Sequence, residues 1–298
     1  MNIFLAGATG YIGGTVAERL RRAGHRVRGL ARTEERASAL RARGIEPVLG
    51  SLSDLAALTE AAREADAVIS AADADHRASV DALLRGVEGS GKRFLHTSGS
   101  SIVSTDAKGE LVADVFDEDT DYEPIADKAD RVATDRAVQR AANQGVHSIV
   151  ICPTMVYGDG LGLKVESIQI PNIEREARAS GAAHWIGRGA NVWSNVHVED
   201  LADLYLLALE KAPGGAFYYA ENGEADLKTV VTAVGRRLGL PAASLSIEEA
   251  ARFWGFADAH LHLASNSRVR AKRARAELGW KPHHPSIVAW LENTSPPR

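Results

Sequence analysis

Three glycines near the start of the chain, Gly7, Gly10 and Gly13, constrain its possible folds more than any other feature. They follow a short apolar run, residues 2–6, and precede a segment, residues 11–23, with the composition of a helix. Because glycine has no Cβ, the turn can be tight and a ligand can approach its backbone closely. A helix that starts here directs its free N–H groups at such a ligand, which is how a dinucleotide pyrophosphate is held. The alternative is an ordinary surface turn, which glycine also closes.

Strand-like and helix-like segments alternate through the first half of the chain. Five further apolar runs predict strands over residues 25–31, 45–49, 66–71, 92–97 and 146–152. Helical stretches, several of about ten to fifteen residues, separate most of them, which favours an α/β fold with a doubly wound parallel sheet and right-handed crossovers. Such sheets bind ligands in the crevice beyond the carboxyl ends of their strands, so we expect these strand ends to line one edge.

Two motifs carry a resemblance to a known family. Residues 7–13, GATGYIG, resemble the Gly-x-x-Gly-x-x-Gly signature of the extended and atypical short-chain dehydrogenase/reductases, the superfamily that includes the NAD(P)-dependent epimerases and dehydratases. Residues 275–282, RAELGWKP, are similar to the C-terminal Leu-Gly-Trp-x-Pro element of extended members. The resemblance implies a Rossmann domain over residues 1–157, to which 191–211 return, and a smaller C-terminal α/β substrate domain formed by 158–190 and 212–298.

Composition narrows the partners that we expect. The 298 residues are 45% hydrophobic and 25% charged, as in ordinary globular proteins. A net charge of −4 gives no electrostatic reason to bind nucleic acid or an anionic membrane, so the expected partner is a small-molecule substrate. The single cysteine, Cys152, excludes an internal disulfide, and with a chain that enters a strand at once it favours a cytoplasmic location. The resemblance makes a homodimer possible. We expect no metal site, because closely spaced histidines near the C-terminus lack carboxylate or cysteine companions.

Cofactor contacts are implied by the resemblance at successive strand ends. Small residues suit these positions, because they let the backbone approach a ligand. Ser51 and Leu52 are the candidates beside the adenine, although the neighbouring Ser53 or Asp54 could equally be only a helix N-cap. The full set of expected cofactor contacts outside the two arginines discussed next is Gly7, Thr9, Gly10, Tyr11, Ile12, Ser51, Leu52, Ala71, Ala72, Thr97, Pro153, Thr154 and Met155.

The end of the second predicted strand bears on the choice of nucleotide. NAD-specific relatives carry an acidic residue there that bonds the adenosine ribose, whereas this chain has Ala31 followed by Arg32. A guanidinium can pair with a 2′-phosphate, and the missing carboxylate removes the group that would repel it. We therefore expect NADP(H) to be preferred over NAD(H). In the alternative interpretation, Arg32 only points into solvent.

The helix that we expect over residues 127–143 departs from the family pattern. Active members carry Tyr-x-x-x-Lys here, in which the tyrosine moves the proton and the lysine orients the nicotinamide ribose. Alignment on the acidic residue that follows this pair places Asp135 at the acid, Arg131 at the lysine and Asp127 at the tyrosine. Arg131 can bind a ribose or a phosphate, but it stays protonated and cannot serve as a base. The tyrosine that would transfer the proton is missing.

Other residues are therefore candidates for the chemistry. Ser98 and Ser100 follow the fifth strand, where relatives place a hydroxyl that bonds the substrate oxygen. A solvated serine loop is the alternative, because Gly99 stands at that position in one register. Tyr122, Tyr157 or a water molecule would supply the proton.

Two further segments complete the expected site. Residues 104–122 are polar and acidic without clear periodicity, which predicts a loop or lid near the crevice mouth. Trp185 and Trp193 could form a wall of an apolar substrate pocket or could belong to the core.

Together these features favour an atypical NADP(H)-dependent oxidoreductase that acts on a small carbonyl or sugar-like substrate. Two alternatives remain because of the missing tyrosine. One is a non-catalytic NADP(H)-binding redox sensor, and the other is an epimerase or dehydratase that uses its cofactor transiently.

Overall fold

A parallel sheet of seven strands forms the centre of the protein in a computed structural model, which describes residues 1–294 apart from the side chains of residues 257 and 258. The strands in chain order are β1 (Asn2–Ala6), β2 (Arg26–Ala31), β3 (Glu46–Leu49), β4 (Ala67–Ser70), β5 (Arg93–Thr97), β6 (His147–Pro153), β7 (Met155–Tyr157), β8 (Ala183–Ile186), β9 (Val192–His197), β10 (Ala216–Ala220), β11 (Glu224–Asp226) and β12 (Ala242–Leu245).

Helices cover both faces of this sheet. They are α1 (Tyr11–Arg22), α2 (Glu34–Ala42), α3 (Leu55–Glu64), α4 (Arg77–Val87), α5 (Ala129–Arg140), α6 (Gln169–Ser180), α7 (Val198–Lys211), α8 (Leu227–Leu238), α9 (Ile247–Trp254), α10 (Lys272–Leu278) and α11 (Ile287–Asn293). A π-helical segment, Ala257–Leu263, follows α9. Among the described residues, no helix combines the length and the apolar character that a membrane crossing requires.

The order of strands in the central sheet is β10-β6-β5-β4-β1-β2-β3, and every pairing is parallel. The chain moves outward from β1 in one direction through β2 and β3, and then in the other through β4, β5 and β6. The order therefore reverses between β1 and β4, which is where doubly wound sheets hold their ligands. The predicted fold class and the six predicted strands of this sheet are confirmed, with ends that differ by one residue at most.

The alternating side chains of β1 show how the sheet is buried. Ile3 and Leu5 lie in the core that also contains residues of α1 and α7, whereas Phe4 and Ala6 lie in the core formed with α3 and α4. Successive side chains of a strand point to opposite faces, so an apolar run without alternation is what a strand buried on both sides needs.

Strand β10 corrects one expectation about domain organisation. The sequence predicts that residues 212–298, and with them Ala216–Ala220, belong to the smaller domain, but this strand pairs in parallel with β6 and forms the edge of the central sheet. A five-residue strand carries no pattern that identifies its partner, so only the assembled sheet shows this placement.

The remaining strands build a smaller unit over the carboxyl edge of the sheet. It contains a three-stranded sheet, β11-β9-β7, and the parallel pair β12-β8, which pack with α6, α8 and α11. Helix α7 leaves this unit directly after β9 and returns to the central sheet, where Leu201, Leu204 and Tyr205 enter the main core.

The segment 104–122 is held along the C-terminal region and does not cover the crevice. Phe116 pairs with Val269 in an isolated bridge. The Glu118 carboxylate accepts hydrogen bonds from the backbone N–H groups of Tyr219 at 3.1 Å and of Lys272 at 3.2 Å. The expected lid is therefore a fixed strap, since its acidic residues pair with groups that lie far away in the sequence.

The glycine turn should respond strongly to an added methyl group. Gly7 has φ +108°, and a Cβ built on it would lie 2.3 Å from the Ala71 carbonyl oxygen. Gly24 has φ +86° with no atom within 4 Å of a built Cβ, so it is a matched control. We expect Gly24→Ala to lower the free energy of unfolding by roughly 1–2 kcal/mol and Gly7→Ala by about 1–3 kcal/mol more. Urea denaturation measures both values, and equal losses would contradict the packing of this turn.

Candidate functional site

A crevice with a cavity of about 400 Å³ lies at the carboxyl ends of β4, β5 and β6, against the start of α1. The structure brings many of the sequence-predicted residues to its walls, as expected from the strand order. Those that line the cavity are Tyr11, Ile12, Ala71, Ala72, Thr97, Ser98, Ser100, Arg131, Pro153, Thr154 and Met155.

The glycine turn has the geometry that a pyrophosphate requires. The N–H group of Gly10 donates to the Gly7 carbonyl at 2.8 Å, which closes the turn. A Cβ on Gly13 would lie 2.3 Å from the same carbonyl oxygen, so only glycine allows α1 to pack this closely on β1. Gly10 is the N-cap of α1 and supplies no side-chain cap, which leaves the first N–H groups of the helix for a ligand. These features fit a dinucleotide.

Thr9, Arg32, Ser51 and Leu52 lie outside this cavity, at the neighbouring ends of β1, β2 and β3. Ala31 is paired with Leu49, so Arg32 and the Ser51 segment lie at adjacent strand ends. Arg32 is exposed, and Leu52 packs partly buried against the core on the α3 side. The arrangement leaves the Arg32 guanidinium open to solvent beside the place where the sequence analysis puts the adenosine.

Arg131 is anchored on one side of the crevice by a partner that the sequence analysis missed. Its Nε donates to Asp75 Oδ1 at 2.8 Å, a second nitrogen binds Asp75 Oδ2, and Nη1 donates to Ser101 Oγ at 3.1 Å. The hydrogen bonds from Arg131 lower the pKa of Asp75. A fixed cation therefore faces the cavity at the position of the family lysine. Asp75 precedes α4, and nothing in the sequence indicated that it would meet α5.

A buried carboxyl lies directly behind Ser98. The Ser98 hydroxyl donates to Asp135 Oδ2 at 2.5 Å, and Asp135 is 2% exposed. Burial raises the pKa of Asp135 to about 7, and burial lowers the pKa of His96 to about 4. His96 Nε2 lies 3.5 Å from Asp135 Oδ1, but both groups are shifted toward their neutral forms, so this contact is not an ion pair. Ser98 thus connects the crevice to a carboxyl that can hold a proton near neutral pH.

The other hydroxyl groups at the strand ends have structural partners. Ser100 Oγ lies 3.2 Å from the hydroxyl of Ser267, which also donates to the Ser100 carbonyl at 2.9 Å. Thr154 donates to the Ala220 carbonyl at 2.9 Å, and Thr97 lies 2.5 Å from the Tyr205 hydroxyl. Ser98 is therefore the better placed of the two serine candidates.

The two tyrosine candidates do not line the crevice cavity. Tyr157 is fully buried in the core of the smaller unit, and its hydroxyl donates to the His284 carbonyl at 2.6 Å. Tyr122 packs partly buried against the main core, edge-on to Phe116. Burial raises the pKa of both hydroxyls, which disfavours proton transfer. In the structure both rings are used for packing, and neither hydroxyl reaches this cavity.

Two residues outside the predicted set, Lys128 and His262, also line the cavity. Lys128 is only 13% exposed and is paired with Asp127, which occupies the aligned tyrosine position. Its spacing of three from Arg131 puts both cations on one side of the helix start, a signal that the sequence contains. His262 arrives from the π-helical segment, and no local pattern could have placed it here. No cluster of three metal-ligating side chains occurs among the described residues.

A second cavity of about 390 Å³ adjoins the first. Ile168, Gln169, Trp193 and His262 line both cavities, so the two spaces lie side by side and share these four residues. We refer to the second cavity as the outer chamber. Trp193 forms part of its wall, whereas Trp185 does not and instead packs under the Lys228 ammonium at 5.3 Å.

Comparison with known sequences identifies a family and several relatives. The sequence model of the NAD-dependent epimerase/dehydratase family matches residues 3–218. The oxidase ucsJ of Acremonium sp is 31% identical over 97% of this chain and 95% of its own length. A ketoreductase of Stigmatella aurantiaca, named for 4-hydroxy-2-methyl-3-oxo-4-farnesyl-3,4-dihydroquinoline-1-oxide, is 27% identical over 81% of this chain and 75% of its own length.

Comparison with solved structures identifies the same fold. The dTDP-glucose 4,6-dehydratase of Bacillus anthracis, solved in complex with NAD, superposes with a TM-score of 0.77. The superposition covers 99% of this chain and 95% of that one at 18% sequence identity. At that identity the match shows a shared architecture.

The buried carboxyl should make stability depend on pH in a specific direction. Between about pH 4 and 7 the folded state keeps a proton on Asp135 that the unfolded state has lost, so stability falls as pH rises through this window. Asp135→Asn removes this effect. As the pH is raised from 5 to 8, the free energy of unfolding of the variant should therefore increase by roughly 2 kcal/mol relative to that of the parent.

Denaturant unfolding of both proteins at the two pH values gives this difference. His96 contributes the opposite slope between about pH 4 and 6.5, because the unfolded state binds the extra proton there, but it does so in both proteins. A difference that stays constant with pH would show that Asp135 is not held as a neutral acid.

Proposed function

Because the chain belongs to the NAD-dependent epimerase/dehydratase family, we propose that it is an NADP(H)-dependent oxidoreductase that reduces a small carbonyl compound. The observation that carries this proposal is the Ser98 hydroxyl on the crevice wall, bonded at 2.5 Å to a buried carboxyl. The oxidase and the ketoreductase among the relatives support redox chemistry on this scaffold.

The residues of the crevice suit the proposed cofactor. The glycine turn and the start of α1 would hold the pyrophosphate, with Ala71 and Ala72 allowing its close approach. Arg32 would pair with the 2′-phosphate, since it is exposed at the end of β2 and no carboxylate occupies the preceding position. Pro153 and Met155, after β6, would contact the nicotinamide.

The proposed reaction needs a hydride and a proton. When bound, the reduced nicotinamide supplies the hydride to the carbonyl carbon. In the reacting arrangement the hydrogen bond between Ser98 and Asp135 reverses: Ser98 donates its proton to the carbonyl oxygen as that oxygen gains negative charge, and protonated Asp135 donates its own proton to Ser98. Solvent then reprotonates Asp135, so one carbonyl, one hydride and one proton give one alcohol. Lys128 and Arg131 also line the crevice, where each is paired with a carboxylate, Asp127 and Asp75 respectively.

The rival function, a redox sensor, is favoured by one observation. Asp127 replaces the family tyrosine and is exposed, so the usual proton donor is absent. A sensor would bind NADP(H) without turning over any carbonyl compound, and its signal would pass to a partner. The carboxyl group behind Ser98 favours an enzyme instead, because a protein that only binds its ligand does not need a side chain that can supply a proton here.

Arg32→Ala tests the choice of nucleotide. Loss of a charge-assisted pair should weaken NADPH binding by about 10- to 100-fold and leave NADH binding within about twofold. Arg26→Ala is a matched control, because Arg26 begins the same strand at the opposite edge of the sheet. Fluorescence titration with both nucleotides measures the affinities. Equal weakening of NADPH and NADH would contradict the phosphate assignment.

Ser98→Ala and Asp135→Asn test the proton path. Each change should lower kcat for carbonyl reduction by roughly 100-fold, the range expected for loss of an acid catalyst. Ser100→Ala, a change in the neighbouring serine that bonds Ser267, should lower it far less. NADPH absorbance with a panel of aldehydes and ketones follows turnover.

The pH profile separates this path from a structural role of the same residues. The kcat of the parent should fall as pH rises above about 7, where Asp135 loses its proton, and residual kcat of Asp135→Asn should lack this limb. An unchanged profile in Asp135→Asn together with loss of activity in Lys128→Met would assign the proton to Lys128 instead. Tight NADPH binding without turnover of any carbonyl would contradict the reductase and support the sensor.

A further inference from the structure

The outer chamber lies where the substrate of the proposed reductase would enter. It shares Ile168, Gln169, Trp193 and His262 with the crevice, so a molecule in the chamber would lie directly beside the crevice. A cavity of about 390 Å³ lies in the size range of small-molecule sites. The chamber is therefore a candidate for the part of the site that selects the substrate.

Aromatic side chains approach the chamber from two separate elements. Trp193 comes from β9, and its ring is fixed because Nε1 donates to the Ser265 carbonyl at 2.7 Å. Phe253 and Trp254 come from the end of α9 and line the same space. Ile173 and Leu263 add apolar surface. A flat ring system gains most from such walls, because aromatic groups favour stacked or edge-on contacts with one another.

Phe253 is unusual because it is 63% exposed while it lines a cavity. A large apolar side chain at the rim of an apolar chamber loses contact with water when a ligand fills the space. Phe256, on the same segment, is similarly exposed at 67% but stacks on His260 and is not part of the chamber wall. Of these two side chains, only Phe253 can therefore contact a ligand in the outer chamber.

The charges of the described chamber residues do not suit a nucleotide diphosphate. Arg175 donates to the Asn172 side chain at 3.1 Å and lies 3.8 Å from the Glu176 carboxylate, which offsets part of its charge. Burial lowers the pKa of His184, which favours its neutral form. A dianionic ligand would find too little positive charge here to replace its hydration. The chamber thus argues against a sugar substrate that is linked to a nucleotide diphosphate.

We infer that the outer chamber binds a flat aromatic carbonyl compound of two or three fused rings, with its rings between Trp193 and the Phe253–Trp254 rim. This inference rests on the proposed reductase for its reaction, because the carbonyl group must extend into the crevice beside Ser98. Gln169, which belongs to both cavities, offers an amide that can orient a polar substituent of the ring.

The test is direct binding to the full chain without nucleotide. Isothermal titration calorimetry compares 2-acetylnaphthalene with its saturated analogue 2-acetyldecalin and with UDP-glucose. We expect the naphthalene to bind at least about fivefold more tightly than the decalin, since only the former gains aromatic contacts. Binding of the decalin with equal affinity, or tighter binding of UDP-glucose, would overturn the inference.

Variants of the rim connect binding to the named residues. Trp254→Ala should weaken binding of 2-acetylnaphthalene by about tenfold and Phe253→Ala by about fivefold, whereas Phe256→Ala should change it by less than about twofold. Phe253 is largely exposed, so its replacement keeps the fold even where the loss of Trp254 lowers stability. Unchanged affinity in Phe253→Ala and Trp254→Ala would overturn the assignment.

NADPH titration and turnover, measured separately, distinguish the two proposals. Binding of the aromatic ketone without reduction by NADPH would contradict the reductase and leave the chamber assignment standing. Reduction of small aliphatic carbonyls without binding of the aromatic ketone would contradict the chamber assignment alone.

Discussion

The close approach of the glycine turn to the end of β4 is the contact on which the rest of the structure depends. Gly7 packs against the Ala71 carbonyl in a space that no Cβ could occupy, and Gly13 packs against Gly7 in the same way. Because of these two contacts, α1 starts directly above the strand ends, with its first N–H groups at the crevice. A wider turn would move the start of α1 away from Ala71, and the crevice would lose the wall that suits a pyrophosphate.

The buried carboxyl group of Asp135 behind Ser98 does not stabilise the fold in a way that would explain its presence. A carboxyl that is 2% exposed beside a neutral histidine costs stability whenever it ionises. Arg131, one turn earlier on α5, is bound to Asp75 and Ser101, so it does not form an ion pair with this carboxyl. Groups that oppose local stability in this way concentrate at functional sites. In a chain that lacks the family tyrosine, Asp135 is the proton donor that the proposed reaction uses.

The smaller unit completes the site because the C-terminal segment returns to the central sheet. Ser267 bonds Ser100 at the end of β5, and the Ser265 carbonyl accepts hydrogen bonds from Trp193 and Asn191. These bonds fix the outer wall relative to the crevice. The walls of the outer chamber thus come from β9, α6 and α9, which contact one another only after the chain has folded back.

The sequence by itself determined the doubly wound sheet, the glycine turn and the departure from the family pattern at Asp127 and Arg131. Each of these features is visible in a short stretch of the sequence. A strand that is buried on both faces appears as a continuous apolar run, and a turn that only glycine can form contains glycine at the required positions. Tertiary structure alone decided that β10 joins the central sheet, that Tyr122 and Tyr157 are used for packing, and that Asp75, His262 and Trp254 line or support the site. Each of these placements depends on contacts between residues far apart in the chain, and no short-range pattern of residues encodes such contacts.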